Sequence, residues 1–327
     1  MQIDRVFRKY TEAIEAHLKK CIPGGSTLST VAQKSLSSGG KRIRPLLALL
    51  SCEAVSGDYR PAIPISITYE MAHTASLMQD DIIDKSEFRR GRRTLHSEYG
   101  SPFAILVSDM LVFEIFNKVA EYEEIGVAPE LVFRLLRYLG AASTSATLGE
   151  YLDGQESFDV IDVDRYLEIA KLKTGSLMAA SAASGAVVGG AVGKLASALY
   201  RFGEATGVAY QIRDDVLDII GDPDVMHKPV FSDLRNRGKN IVLIHAFRNA
   251  PSSKRKFLKS MLGKSWYSEE EKIGIKNVFT DLGSIDYAGN LSITMLNTAK
   301  EQLSHLKAQP AGEHLELLAR FAVNRMM

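Results

Sequence analysis

The sequence predicts an all-α protein, and two features of the residue pattern lead to this prediction. Apolar residues recur at intervals of three and four positions, as in residues 166–180, YLEIAKLKTGSLMAA, and in the C-terminal ELLARFAVNRM. Alternating β-branched runs joined by hairpin turns are nearly absent. Glycine and proline positions break this pattern into about ten predicted helices. The breaks lie at residues 23–25, 39–40, 61–64, 100–102, 221–238 and 251.

The bulk composition predicts one folded domain over residues 1–327. Of the 327 residues, 46% are apolar and 24% are charged, which is ordinary for a globular protein. No linker rich in proline, glycine or one sign of charge interrupts the chain. The net charge of +1 argues against a general nucleic-acid-binding surface, because such surfaces need an excess of basic residues. Any anion-binding site must therefore be local.

The cysteines and the chain start predict a cytoplasmic protein. Cys21 and Cys52 are too few for a disulfide framework and lack metal-ligand spacing. The first twenty residues mix both signs of charge at helical spacing, unlike a signal or transit peptide. The uncharged stretch 176–193 has a length compatible with either a membrane span or a buried helix. Its alanine, glycine and serine content favours the buried helix and no transmembrane segment.

Two copies of the pattern D-D-apolar-apolar-D provide the main functional signal. They stand in MQDDIID and in QIRDDVLD. In a helix, residues four apart share a face, so each copy presents a pair of carboxylates. A solvated acidic face is the alternative, but the flanking apolar runs and the repetition argue against it. Hard oxygen ligands in pairs favour Mg2+, which completes its coordination with water and phosphate oxygens. The predicted metal-site residues are Asp80, Asp81, Asp84, Asp214, Asp215 and Asp218.

A set of basic residues could neutralise a phosphorylated substrate beside these carboxylates. Taken singly, each basic residue is more typical of a solvated surface, but several adjoin glycine or proline at loop edges. His73 precedes Asp80 by two helical turns, so it is either a core histidine or a phosphate donor. The candidates for anion binding are Lys41, Arg44, Arg89, Arg90, Lys173, Lys228 and Lys239.

Taken in order, the motifs of this chain resemble those of the trans-isoprenyl diphosphate synthases, also called polyprenyl synthetases. The series begins with GGKRIRP at 39, H-x-x-S-L-x-x-D-D-x-x-D at 73 and R-R-G at 89. It continues with G-E-x-x-D at 149, K-T-G at 173 and Y-Q-I-R-D-D-x-x-D at 210. K-P-x-x-x-D-L at 228, G-K at 238 and the terminal VNR complete it. The resemblance covers most of the chain.

The resemblance implies a single bundle of helices around a deep cavity, an isoprenoid synthase-like fold that forms a homodimer and binds three Mg2+ ions. Direct metal ligands would be Asp80, Asp84 and Asp214, with Asp81, Asp215 and Asp218 in support. The allylic diphosphate would be held by Arg89, Lys173, Thr174, Gln211, Lys228 and Lys239, of which Lys173, Thr174, Gln211 and Lys228 are the predicted catalytic residues. Isopentenyl diphosphate would be held by Lys41, Arg44, His73 and Arg90.

The implied reaction condenses an allylic diphosphate with isopentenyl diphosphate head to tail, after Mg2+-assisted ionisation. Ala75 and Ser76 lie one turn before Asp80 and are small, whereas short-chain members of the family carry bulky aromatic residues there. We therefore predict geranylgeranyl diphosphate or a longer polyprenyl diphosphate as the product. The residues considered for the floor of the cavity are Met71, Phe113 and Phe116, although all three could equally be ordinary core residues.

The chain departs from the family pattern at two places. Ile241 and Leu243 replace a usual threonine and proline, and Ser108 replaces a common glycine before Asp109. None of these positions is a predicted metal ligand.

Two alternative functions compete with prenyl transfer. A terpene cyclase would carry a different second acidic motif, and a non-catalytic regulatory subunit would have lost aspartates. Both alternatives are therefore disfavoured.

Overall fold

A computed structural model describes residues 2–89, 91–155, 161–222, 230–236, 238–306 and 310–323. The fold is all-α, as predicted, with sixteen α-helices in these residues. The first eight are α1 (Gln2–Leu18), α2 (Thr27–Leu36), α3 (Ile43–Ser56), α4 (Ile63–Ile83), α5 (Leu95–Tyr99), α6 (Ser101–Glu124), α7 (Pro129–Gln155) and α8 (Val163–Ala170). The others are α9 (Ser176–Val188), α10 (Gly193–Ile220), α11 (Ser232–Asn236), α12 (Ile241–Asn249), α13 (Ser252–Met261), α14 (Glu269–Asp281), α15 (Ser284–Gln302) and α16 (Pro310–Val323).

Short elements account for part of the difference between these sixteen α-helices and the roughly ten that the sequence predicts. A π-helical turn, Lys171–Gly175, joins α8 to α9, and 3-10 turns lie at Arg60–Ala62 and Leu303–His305. The strands β1 (Phe88–Arg89) and β2 (Arg92–Arg93) form a small antiparallel hairpin after α4. Helices of five residues, such as α5 and α11, span too few turns to show a clear apolar period in sequence.

Helix α9 lies in the interior, which confirms the prediction of a buried helix in the uncharged stretch. Every residue from Ser176 to Val187 is buried. Its small side chains allow close approach of the neighbouring backbones, and a Cβ atom on Gly185 would lie 1.9 Å from the Ala48 carbonyl oxygen of α3. Within the described residues, none of the helices has both the length and the apolar character needed to cross a membrane.

Two hydrophobic clusters share helix α10. The larger cluster draws on α1 to α4, α6, α7, α9 and α16, and includes Phe202 from the first half of α10. The smaller one draws on α8, α12 and α14, and includes Ile212, Val216 and Ile219 from the second half. Those three residues follow the helical period, so burying them fixes the direction in which the aspartates of the second acidic motif point.

Helix α4 carries the first acidic motif at its C-terminal end, and polar contacts join it to two neighbours. The Tyr69 hydroxyl lies 2.8 Å from the Ser184 hydroxyl of α9. On α6, the Ser108 hydroxyl donates to the Ala75 carbonyl oxygen at 3.3 Å and accepts a 3.0 Å bond from the Gln79 amide. These bonds fix the last two turns of α4, from which the acidic motif projects.

Candidate active site

The first acidic motif places a buried aspartate beside two more accessible ones. Asp81 is 6% exposed and accepts a 2.7 Å hydrogen bond from Arg89 Nε in the hairpin. Burial, together with the nearby Glu150, raises the pKa of Asp80 to about 7, although Lys173 and Arg89 act in the opposite direction. Burial likewise raises the pKa of Asp84. The end of α4 is thus a concentration of negative charge that a cation would stabilise.

Lys173 lies in the π-helical turn between two carboxylates of α7. Its ammonium nitrogen is 2.7 Å from Glu150 Oε2 and 2.7 Å from Asp153 Oδ2. Lys239 Nζ lies 3.5 Å from the other oxygen of Asp153. Burial alone would lower the pKa of Lys173, but the carboxylates of Asp153 and Glu150 outweigh burial and raise it, so the ammonium stays charged.

Gly149 makes this arrangement possible. A Cβ atom there would lie 2.4 Å from the Lys173 backbone nitrogen, so any larger residue would push α7 away from the π-helical turn. The motif G-E-x-x-D therefore combines one close approach of backbones with two carboxylates on the same face of α7. Glu150 and Asp153 belong to this motif but are not among the predicted site residues, although their spacing is a signal that could have identified them.

The second acidic motif is held by a connected set of hydrogen bonds. Asp215 is 2% exposed, and its carboxylate accepts bonds from the Tyr166 hydroxyl at 2.7 Å, the Gln211 amide at 3.0 Å and the Ile241 backbone N–H at 2.8 Å. The Thr174 hydroxyl donates to Gln211 Oε1 at 2.8 Å. The chain Thr174–Gln211–Asp215 joins the second motif to the turn that carries Lys173.

The third aspartate of the second motif caps a neighbouring segment. Asp218 is 6% exposed and accepts bonds from the Ser232 hydroxyl and from the backbone N–H groups of Ser232 and Asp233, both at 3.1 Å. Asp214 lies on the same helix, half-buried, one turn beyond Gln211. By contrast, within the described part of the chain the Asp80 and Asp84 carboxylates accept no hydrogen bond from another side chain.

The carboxylates of the acidic motifs suit an open Mg2+ site, completed by water and substrate, better than a metal site closed by protein ligands alone. Across the ranges that the structure describes, no group of three or more histidine, cysteine, aspartate or glutamate side chains is arranged to hold a metal unaided. Mg2+ is usually bound by one or two carboxylates together with water and substrate phosphates. The paired carboxylates of Asp80 and Asp84 provide that kind of incomplete, oxygen-only ligand set.

The basic residues predicted for isopentenyl diphosphate occupy α3, α4 and the loop before α3. Lys41 is exposed, and its ammonium nitrogen lies 5.8 Å from the centre of the Phe321 ring. Arg44 is 9% exposed in the first turn of α3, and His73 is half-buried on α4. Arg90 and Lys228 lie outside the described residues.

The predicted chain-length residues divide between the interior and the outer surface. Ala75 is 2% exposed and Met71 is fully buried, and Ser76 is half-buried on the same helix. Phe113 and Phe116, however, are 66% and 57% exposed on α6. Within one chain they face outward, which corrects the prediction that they could close the floor of an internal cavity. Both faces of α6 carry apolar residues, so its sequence did not distinguish the inner face from the outer one.

Comparison with known proteins identifies the family. The family model for polyprenyl synthetases matches residues 26–281, more than half of the chain. This chain belongs to the polyprenyl synthetase family. A geranylfarnesyl diphosphate synthase from Aeropyrum pernix is 36% identical over 305 residues, which cover 91% of this chain and 94% of that protein. A geranylgeranyl pyrophosphate synthase from Geoglobus acetivorans is 35% identical over 316 residues, covering 96% and 95%.

A solved structure supports the same assignment. The geranylgeranyl pyrophosphate synthetase from Pyrococcus horikoshii Ot3 matches this fold with a TM-score of 0.91 at 33% identity, covering 99% of both chains. As a polyprenyl synthetase, the chain is a trans-prenyltransferase, and the substrates of this family are isopentenyl diphosphate and allylic diphosphates. The prediction of family, fold and reaction class from the sequence is confirmed.

Proposed function

We propose that this enzyme ionises an allylic diphosphate between its two acidic motifs and extends it with isopentenyl diphosphate. The observation that supports this most strongly is the connection between the motifs. Lys173 interacts electrostatically with Asp80 and Asp84 of the first motif, and its neighbour Thr174 reaches Asp215 of the second through Gln211. One substrate diphosphate bound at Lys173 would therefore lie beside both carboxylate groups.

We propose that Asp80, Asp84 and Asp214 hold the magnesium ions, three in number as in the family resemblance. When bound, the ions neutralise the charge that develops on the departing pyrophosphate. Asp81, Asp215 and Asp218 are already engaged with Arg89, Tyr166 and Ser232, respectively, and serve to orient the ligands beside them. These hydrogen bonds support the supporting role that the resemblance implies for Asp81, Asp215 and Asp218.

The basic residues of the site act on the leaving group. Lys173, Lys239 and Arg89 place positive charge where the allylic carbon–oxygen bond breaks and pyrophosphate departs with the electron pair. Lys228 is assigned to the same role by resemblance. The terminal CH2 carbon of isopentenyl diphosphate then forms the new bond to the allylic carbon, and a proton is lost to the departing pyrophosphate. No side-chain nucleophile is required.

We propose a product of geranylgeranyl length or longer. Ala75 and Ser76 leave no bulky side chain one turn before Asp80, and Met71 lies one further turn away in the interior. Two relatives whose names specify a product agree with this range, because they are named for geranylfarnesyl and geranylgeranyl diphosphate. The apolar walls of the bundle also serve to exclude water from the allylic cation.

We propose that residues 1–327 form one domain and that two copies assemble as a homodimer. The sharing of α10 between both hydrophobic clusters supports the single domain. The apolar residues exposed on one face of α6 and on one face of α7 support the dimer, because contiguous exposed apolar surface marks association sites. These residues are Ile105, Leu106, Phe113, Phe116, Phe133, Leu148 and Tyr151.

We propose a reducing compartment such as the cytoplasm, because the two cysteine thiols of the chain are not joined in a disulfide. Cys21 and Cys52 are both buried and free, and burial raises the pKa of each to about 11. Buried thiols with a raised pKa remain protonated at neutral pH and are poorly reactive.

Incubation with Mg2+, isopentenyl diphosphate and one allylic diphosphate at a time tests the proposed function. We expect prenyl diphosphates of geranylgeranyl length or longer, identified by chromatography after dephosphorylation. The double variant Asp80→Asn/Asp84→Asn should lose this activity by a factor of at least about 10³. Cyclic hydrocarbon products would indicate a terpene cyclase, and no product with any primer would indicate a regulatory subunit.

A further inference from the structure

Arg42 is a buried arginine between two residues of the proposed isopentenyl diphosphate site. Lys41 precedes it and is exposed, and Arg44 follows it in the first turn of α3. The side chain of Arg42 is only 3% exposed. Arginine is rarely buried unless its donors are matched by acceptors, so its surroundings decide what it does.

Each side of the Arg42 guanidinium meets an acceptor from a different helix. Nε donates to Glu15 Oε1 of α1 at 2.8 Å, and Nη1 donates to Glu70 Oε1 of α4 at 2.5 Å. Nη2 donates to the Leu36 carbonyl oxygen at the end of α2, at 2.9 Å. A lysine carries its three donors on a single nitrogen, so it could not reach all three acceptors, which are spread around the planar guanidinium.

The backbone of Arg42 adopts the left-handed conformation, with φ of 49° and ψ of 34°, immediately before α3. This conformation is unfavourable for a residue with a Cβ atom. It turns the chain so that the Arg42 side chain enters the interior while Lys41 remains exposed. The strain is maintained by the buried contacts, and such strain is characteristic of functional sites.

Glu70, the acceptor nearest to the Arg42 guanidinium, connects the loop before α3 to α4, the helix that carries His73. Glu70 has a side chain only 6% exposed, and it precedes His73 by three residues, so both lie on neighbouring positions of one face of α4. On the other side, the Ser181 hydroxyl of α9 donates to the Arg44 carbonyl oxygen at 2.6 Å. The segment 42–44 is therefore held to α4 by the ion pair and to α9 by this bond.

We propose that Arg42 is a positioning residue for isopentenyl diphosphate, acting through its buried ion pair with Glu70. The pair holds the segment bearing Lys41 and Arg44 at a set distance from His73, so that the three can bind one diphosphate together. This inference rests on the proposed assignment of those three residues to isopentenyl diphosphate. Small displacements of binding groups have large kinetic effects, so loss of the pair should weaken this substrate selectively.

Glu15 provides a matched control, because it binds the same guanidinium from a helix that carries no proposed substrate residue. Steady-state kinetics with isopentenyl diphosphate and farnesyl diphosphate should be measured for Glu70→Gln, Arg42→Lys and Glu15→Gln. We expect the first two to raise KM for isopentenyl diphosphate by about tenfold or more. Their KM for farnesyl diphosphate and their kcat should stay within about threefold of the parent, and Glu15→Gln should change all three values by less than about twofold.

Three results would overturn the positioning role. They are an unchanged KM for isopentenyl diphosphate in both Glu70→Gln and Arg42→Lys, a parallel rise in KM for farnesyl diphosphate, and equal effects of Glu15→Gln and Glu70→Gln. Circular dichroism establishes which variants fold. If Glu70→Gln does not fold, Arg42→Lys still tests the positioning role, because it retains the positive charge.

Arg44→Ala separates the assignment of the isopentenyl diphosphate site from the positioning role of Arg42. If it leaves KM for isopentenyl diphosphate unchanged, the substrate assignment and the positioning role both fail; if it raises KM while Arg42→Lys does not, only the positioning role fails.

Discussion

The Lys173 ammonium lies 2.7 Å from Asp153 Oδ2, where helix α7 meets the π-helical turn between α8 and α9. Glu150 contacts the same nitrogen at the same distance, so two carboxylates of α7 hold one cation. A substrate diphosphate must compete with these carboxylates for Lys173. Metal ions bound at the acidic motifs would favour that exchange by adding positive charge nearby.

Substitution of Lys173 by methionine tests its role toward the leaving group. The change keeps most of the side-chain volume and removes the positive charge that would stabilise departing pyrophosphate. We expect kcat/KM for the allylic substrate to fall by about 10²–10³. Lys264→Met is the control, because Lys264 forms a half-buried ion pair with Glu271, outside both acidic motifs, and it should change kcat/KM by less than about twofold. Equal values for both variants would remove Lys173 from the catalytic set.

Substitution of Tyr166 by phenylalanine tests the support of the second acidic motif. The buried carboxylate of Asp215 would lose one of its three hydrogen-bond donors, which should lower the free energy of unfolding by about 1–3 kcal/mol. We also expect the Mg2+ concentration for half-maximal rate to rise about tenfold, because Asp214 adjoins Asp215. Tyr69→Phe removes a comparable buried hydroxyl contact, with Ser184, and should leave the Mg2+ dependence unchanged. A similar Mg2+ response from both would argue against a specific role.

The raised pKa of Asp80 predicts how stability depends on pH in the metal-free enzyme. Burial and Glu150 raise this pKa from its ordinary value of 3.8 to about 7. Between these values the folded state binds more protons than the unfolded state, so stability falls as pH rises through this range. Asp80→Asn removes the ionisable carboxyl group, and with it this loss of stability at higher pH.

Denaturant unfolding in the presence of EDTA at pH 5 and pH 8 measures the effect. We expect the stability advantage of Asp80→Asn over the parent to grow by about 1–3 kcal/mol between these pH values. Added Mg2+ should stabilise the parent at pH 8 more than the variant. An advantage that is independent of pH would mean that Asp80 titrates near its ordinary pKa.

Substitution of Ala75 by phenylalanine tests the control of product length. A large ring one turn before Asp80 should stop elongation early, so we expect a shift to shorter prenyl diphosphates in the product assay. Ala75 is 2% exposed and lies against α6, so this variant could fold poorly. Ser76→Phe alters the adjacent, half-buried position and provides the second test. Unchanged product length in folded forms of both variants would contradict the proposal.

Charged substitutions on the outer face of α6 test the homodimer. The double variant Phe113→Asp/Phe116→Asp places two carboxylates in the proposed interface, where burying them would be costly. Sedimentation velocity should show a dimer for the parent and a species near the chain mass of 36.0 kDa for the variant. Trp266→Asp changes another strongly exposed aromatic residue, 71% exposed, and should leave the dimer intact. A monomeric parent enzyme would contradict the prediction directly.

The sequence was sufficient to predict the features that depend on local spacing. The period of apolar residues predicts the helices, and the small residues of 176–193 predict a helix packed in the interior, as α9 is. The repeated D-D-x-x-D motif predicts carboxylate pairs, because positions four apart share a helical face whatever the rest of the fold does. Together with the order of the other motifs, this was enough for the fold class and the family.

The roles of individual residues depended on contacts between segments distant in the chain. Asp80 and Asp215 belong to the same motif pattern, yet Asp215 accepts bonds from Tyr166 and Ile241 of other elements, in addition to Gln211 of its own helix. The Asp80 carboxylate accepts none from the described side chains. The outward face of α6 and the acceptors around Arg42 likewise follow from which helices pack together. Side-chain spacing reflects the geometry of one helix, but burial and pairing are set by the neighbours that the fold brings to it.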